Sequence, residues 1–129
     1  MTEAQKDGAQ KPLAGLKVVE LGTLIAGPFC TRIMAEFGAE VVKVESPDGG
    51  DPLRKWRKLY EGTSLWWYVQ ARNKKSVTAN LKHPEGREFV RKLIAEADIL
   101  VENFRPGVLE KLGLGWETLK ADNPGLVMV

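Results

Sequence analysis

Residues 16–45 read LKVVELGTLIAGPFCTRIMAEFGAEVVKVE, a stretch that predicts a strand, a helix and a second strand in succession. LKVVEL (16–21) and EVVKVE (40–45) are short, valine-rich apolar runs, which is typical of buried strands. Between them, four large apolar residues recur at helical spacing and predict one buried helix face: Phe29, Ile33, Met34 and Phe37. A helix that links two such strands favours a parallel pair.

The same alternation continues towards the C terminus. SVTAN (76–80), DILVE (98–102) and GLVMV (125–129) are further strand candidates. PEGREFVRKLIAEA (84–97) predicts a helix with one apolar stripe, formed by Phe89, Val90, Leu93, Ile94 and Ala97. Residues 46–75 are less regular and predict a turn-rich loop followed by one or two short helices. Strands that alternate with helices at this spacing predict an α/β fold with a parallel sheet flanked by helices.

The composition is that of an ordinary globular domain. The 129 residues suit one domain, and 43% of them are hydrophobic and 28% charged. A net charge of +2 is too small to favour nucleic acid as a partner. The single cysteine, Cys30, excludes an internal disulfide and agrees with a reducing compartment.

The two ends of the chain differ in character. Residues 1–12 are polar and predict a disordered tail, which leaves residues 13–129 as the folded region. The tail has no apolar core of a secretory signal, and no apolar run reaches the length of a membrane span, so we expect a cytoplasmic protein without a membrane partner. The last residues, 125–129, form an apolar run, which favours a chain truncated from a longer protein.

Three polar or glycine-rich stretches follow predicted strands and should meet at one edge of the sheet. They are GTLIAGP (22–28), ESPDGGDP (45–52) and ENFRPG (102–107). In open α/β sheets, ligands bind at the carboxyl ends of the strands. The sequence lacks the G-x-G-x-x-G dinucleotide fingerprint, which disfavours a dehydrogenase, and it also lacks the P-loop pattern. It also lacks a Cys/His cluster with metal spacing, so no metal site is predicted.

Two groups of charged residues leave open alternatives. The run 71–83 carries one arginine and three lysines, Arg72, Lys74, Lys75 and Lys82, which favours a solvated basic face over a polyanion site. Glu20, Glu45 and Glu102 each lie near the end of a predicted strand. They would either cluster at the ligand edge or accept hydrogen bonds from the backbone of neighbouring loops.

Several of these blocks resemble class III CoA-transferases, the group of formyl-CoA transferase and carnitine CoA-transferase. The resemblance covers about residues 12–129 and is carried by AGP…FGAEVVKVE, NKKS and ADILVENFRPG in the same order and spacing. It implies transfer of coenzyme A (CoA) from an acyl-CoA donor to a carboxylic acid, with CoA as a substrate and no tightly bound cofactor. It also implies the N-terminal, Rossmann-like part of a larger fold in which two chains interlock as a homodimer.

The resemblance also implies which residues contact CoA. Carried over by motif, the family's contact positions fall at nine residues of this chain: Leu24, Ile25, Ser46, Ala79, Lys82, Asn103, Phe104, Arg105 and Lys111. Among these, Lys82, Arg105 and Lys111 would pair with the phosphates of CoA. Asn103 would offer hydrogen bonds and Phe104 an apolar or stacking surface.

The family's nucleophilic aspartate is expected downstream of Val129, so no catalytic residue is assigned within this chain. We therefore expect the 129-residue chain alone to be inactive. Two alternatives are an α-methylacyl-CoA racemase of the same superfamily and a non-catalytic nucleotide-binding module. The long segment 46–70, and ENF before Arg105, favour the transferase over the racemase.

Overall fold

The computed structural model describes residues 10–129, and most of the predicted disordered tail, residues 1–9, lies outside them. Five parallel strands form the main sheet: β1 (Lys17–Glu20), β2 (Glu40–Glu45), β5 (Lys74–Thr78), β6 (Ile99–Val101) and β7 (Val127–Met128). Two further strands form a small antiparallel hairpin: β3 (Leu59–Tyr60) and β4 (Thr63–Ser64). The predicted parallel α/β architecture is confirmed.

Helices connect the strands of the main sheet. They are α1 (Ala26–Glu36), α2 (Leu65–Gln70), α3 (Pro84–Ala95), α4 (Val108–Lys111) and α5 (Trp116–Asp122), and a 3-10 turn spans Pro52–Lys55. Pro84 occupies the first turn of α3, where its missing N–H leaves no hydrogen bond unmade. None of the helices within residues 10–129 is both long and apolar enough to cross a membrane.

The strand order places a ligand edge in the middle of the sheet. The order is β5-β2-β1-β6-β7, so the chain runs outward from β1 in one direction and then restarts on its other side at β6. This is the order of a doubly wound Rossmann-like sheet, and the reversal opens a crevice at the carboxyl ends of β1 and β6. The loops after β1, β2 and β6 are the three stretches that the sequence singled out.

Two apolar cores cover the two faces of the sheet. The larger core joins Val90 and Ile94 of α3 to Val19 and Leu100 of the sheet, and all four are buried. The smaller core joins Ala35 of α1 to buried valines of β1, β2 and β6. Both faces of the central strands are therefore covered, which explains why adjacent valines, rather than alternating apolar and polar residues, occupy the middle of β1 and of β2.

The buried face of α1 differs from the prediction. Phe29 and Phe37 are 46% and 51% exposed, whereas Thr31 and Ala35 are buried. The reason lies at the start of the helix, where a Cβ added to Gly27 would lie 2.7 Å from the Cα of Gly22. This close approach turns the small residues towards the sheet and the large rings away from it.

The stripe of α3 is partly confirmed. Val90, Ile94 and Ala97 are buried as expected, but Phe89 is 44% exposed. The helical period therefore located the core-facing side of α3 correctly, but the predicted stripe wrongly included Phe89.

Candidate functional site

A cavity of about 310 Å³ opens at the carboxyl edge of the sheet. Its walls come from the loops after four strands, so segments distant in sequence meet there. Four of the nine predicted contact residues line it: Ser46, Ala79, Lys82 and Phe104. Leu21 and Leu81 add apolar surface, and the size and mixed lining are typical of a small-molecule pocket.

The other five predicted contact residues do not form part of the wall of this cavity. Leu24 and Ile25 occupy the turn after β1 and are 36% and 42% exposed. Arg105 is exposed after β6, and Lys111 is exposed at the end of α4. The structure therefore brings four of the nine residues together in one cavity.

Asn103 has a structural role. Its Oδ1 accepts a hydrogen bond from the backbone N–H of Thr23 at 2.8 Å, and its Nδ2 donates to the Thr23 carbonyl at 2.9 Å. The side-chain amide thus ties the loop after β6 to the turn after β1. These two bonds engage both polar groups of the side chain that the resemblance offers to CoA.

A buried cluster of charges lies beneath the ligand edge. Glu20 is fully buried at the end of β1, and its carboxylate contacts the ammonium of Lys43 at 2.7 Å and that of Lys74 at 2.9 Å. Thr31 of α1 donates a third contact, at 2.6 Å. Lys43 also lies 2.7 Å from a carboxylate oxygen of Asp51. Two cations and two anions therefore neutralise one another out of solvent.

The position of Lys74 corrects the interpretation of residues 71–83 as a solvated basic face. Its side chain is only 2% exposed and donates to the carbonyl of Pro28 at 2.8 Å, so this lysine does not belong to a solvated face. Burial lowers the pKa of Lys74, and the carboxylate of Glu20 opposes part of that shift. Lys75, the next residue, is exposed and pairs with Glu40.

Glu45 organises the loop after β2. Its carboxylate accepts two hydrogen bonds from Arg54, at 2.7 and 2.8 Å, one from Ser76 at 2.6 Å and one from the Asp51 backbone at 2.8 Å. Burial alone would raise the pKa of Glu45. The four hydrogen bonds and the guanidinium charge outweigh burial and lower that pKa to about 2.

Two of the three acidic residues, Glu45 and Glu102, follow the second of the alternatives left open by the sequence. Glu45 accepts a hydrogen bond from the Asp51 N–H at 2.8 Å, and Glu102 accepts one from the Phe104 N–H at 2.7 Å. Glu20 instead joins the buried charge cluster. Sequence reasoning missed the roles of Lys43 and Asp51, although a lysine within an apolar buried strand is a signal, because a buried charge needs a partner.

Comparison with known proteins agrees with this geometry. The family model of CoA-transferase family III matches residues 13–129. Succinyl-CoA--D-citramalate CoA-transferase of Chloroflexus aurantiacus is 56% identical over 120 residues, which cover 92% of this chain and 30% of that protein. Formyl-CoA:oxalate CoA-transferase of Escherichia coli is 43% identical over 117 residues, covering 90% and 28% respectively.

A solved structure gives the same result. A CAIB/BAIF family protein from Brucella suis superposes with a TM-score of 0.85 at 46% identity, over 92% of this chain and 32% of that one. The chain thus spans about three tenths of the length of the relatives that it matches. The family match covers nearly all the described residues, and the fold agrees with it, so the chain belongs to CoA-transferase family III.

Proposed function

We propose that this chain forms the N-terminal, CoA-binding part of an enzyme that moves CoA from an acyl-CoA donor to a carboxylic acid. The observation that carries the proposal is the cavity at the carboxyl edge, which four residues of the family's CoA-contact pattern line. Ala79 and Phe104 supply apolar wall, while Lys82 supplies positive charge. A ligand with an apolar portion and phosphates suits this combination.

Three exposed cations, one of which lines the cavity, support an anionic ligand. Lys82, Arg105 and Lys111 are exposed, and none of them forms an ion pair with a carboxylate among residues 10–129. By contrast, Lys43 and Lys74 are neutralised within the buried cluster. The cations left for phosphates are therefore those at the surface of the ligand edge.

The reaction requires more than this chain. We place the nucleophilic aspartate beyond Val129, and we assign the choice of acyl group and acceptor acid to the same missing portion and to a second copy in a homodimer. In this proposal CoA acts as a substrate, and the protein works in the cytoplasm. The 129-residue chain by itself does not catalyse CoA exchange. Donor-to-acceptor CoA exchange by the isolated chain would contradict this assignment.

Calorimetry of CoA binding to the whole protein tests the site. Lys82→Ala and Arg105→Ala should each weaken binding about tenfold, since each removes one charge-assisted contact to phosphate. Lys92→Ala is the matched control, because Lys92 lies on α3 and its side chain is 75% exposed. Unchanged CoA affinity in both test variants would refute the placement of the phosphates.

A further inference from the structure

The turn that links β1 to α1, residues 22–25, has an unfavourable backbone conformation. Leu24 has a φ of +62°, in the left-handed region that residues with a Cβ rarely adopt. The turn nevertheless presents Leu24 and Ile25 as half-exposed apolar side chains at the ligand edge. Such a conformation persists only where neighbouring groups hold it.

Two side chains hold this turn. Asn103 binds both backbone groups of Thr23, as described above. At the next residue, Oδ1 of Asp51 accepts a hydrogen bond from the Leu24 N–H at 3.0 Å. Asp51 comes from the loop after β2, so this contact joins the loops after two different strands.

Asp51 is itself fixed in place. Its side chain is fully buried, and its second oxygen, Oδ2, lies 2.7 Å from the ammonium of Lys43. Lys43 in turn contacts Glu20 at 2.7 Å and donates to the Gly22 carbonyl at 2.8 Å. One oxygen of Asp51 therefore faces the charge cluster while the other faces the strained turn.

We propose that Asp51 is a positioning residue of the CoA site: it holds Leu24 in its left-handed conformation so that Leu24 and Ile25 face the ligand. The inference rests on the proposed function, because the turn matters to activity only if CoA binds beside it. Asp51 acts through the Leu24 backbone rather than by a reaction of its own.

A simpler role for Asp51 is to cap the 3-10 turn at Pro52–Lys55. Its Oδ1 accepts the Leu53 N–H at 2.8 Å, which is the usual capping contact. Both contacts use Oδ1, but the cap spans two positions whereas the contact with Leu24 spans 27. The two roles separate in Asp51→Ser, because the shorter serine side chain retains an acceptor for the residue two positions on and falls short of the Leu24 N–H.

The experiment measures backbone hydrogen exchange at residues 24 and 53 of the whole protein, together with CoA affinity. In Asp51→Ser, exchange at Leu24 should accelerate about tenfold, the effect of losing one charge-assisted hydrogen bond, while exchange at Leu53 stays close to the wild-type rate. CoA binding should weaken by a similar factor in Asp51→Ser and in Asp51→Ala. Asp122→Ala, which removes an exposed carboxylate paired with Arg91, is the matched control and should change neither measurement.

Each outcome bears on the inference. Slow exchange at Leu24 in Asp51→Ser, or fast exchange with unchanged CoA affinity, would overturn it. Unfolding of Asp51→Ser would also overturn it, because Asp51 would then serve the fold rather than the turn. If the wild-type protein bound no CoA, the proposed function would fail and the positioning role with it, whereas the exchange rates would still show whether Asp51 holds Leu24.

Discussion

Glu45 should make the stability of this protein depend on pH over an acidic range. Its pKa in the folded protein is about 2, compared with an ordinary value of 4.5. A carboxyl group whose pKa is depressed by folding stabilises the protein above its unfolded pKa, and that stabilisation is lost as the pH falls towards the folded pKa. The relevant window for Glu45 therefore runs from about pH 4.5 down to about pH 2.

The size of the effect follows from the two pKa values. A difference of about 2.5 pKa units corresponds to about 3 kcal/mol of stability at pH 7, of which about 2 kcal/mol should be lost by pH 3. Glu45 is only 4% exposed, but the Arg54 side chain is 37% exposed, so solvent screens part of their contact and about 3 kcal/mol is the upper limit of the effect. Glu45→Gln mimics the uncharged carboxyl group and should therefore lower the free energy of unfolding by a similar amount at pH 7.

Urea unfolding of both proteins from pH 7 to pH 2.5 measures this contribution. The stability difference between wild type and Glu45→Gln should be largest at neutral pH and should shrink as the pH falls. Glu40→Gln is the control, because Lys75 also lowers the pKa of Glu40 but that pair is exposed at the surface. Its effect should be small, since exposed ion pairs contribute little. A difference between wild type and Glu45→Gln that stayed constant with pH would refute the reasoning.

Two further predictions concern the orientation of α1 and the hydrogen bonds between Asn103 and Thr23. Ile94→Ala should lower the free energy of unfolding by about 2–5 kcal/mol, because Ile94 is fully buried. Phe29→Ala should lower it clearly less, because Phe29 is 46% exposed. Equal losses of stability in thermal unfolding would contradict the observed orientation of α1. Asn103→Ala should lower the free energy of unfolding by about 2 kcal/mol, because it removes two hydrogen bonds to Thr23. If urea unfolding of this variant matched that of the wild type, those bonds would contribute nothing to stability.

Local patterns in the sequence predicted most of the fold. The run 40–45 coincides with β2, and the helix predicted over 84–97 corresponds to α3, because hydrophobic period reports the local geometry of a chain. Parallel pairing also followed from the alternation of strands and helices. The segment 46–75 was harder to predict because it lacks a sustained period and folds as short pieces that depend on their neighbours.

The candidate site was only partly predictable. The positions of the three loops followed from the rule that strand ends carry ligands, and Ser46, Ala79, Lys82 and Phe104 do line one cavity. The family resemblance, carried by motifs in the same order along the chain, predicted that these residues lie at the ligand edge. Sequence could not show that the amide of Asn103 is engaged by Thr23, because the two residues lie 80 positions apart.

The sequence by itself determined the family, the alternation of elements and the loops that reach the ligand edge, since these depend on composition and order along the chain. The tertiary structure alone decided which charges are buried. Lys43 and Lys74 carry the same side chain as the exposed Lys82, and they differ only because Glu20 and Asp51 meet them across neighbouring strands and loops. A charge leaves water only where opposite charges and hydrogen bonds compensate it, and long-range packing supplies those partners.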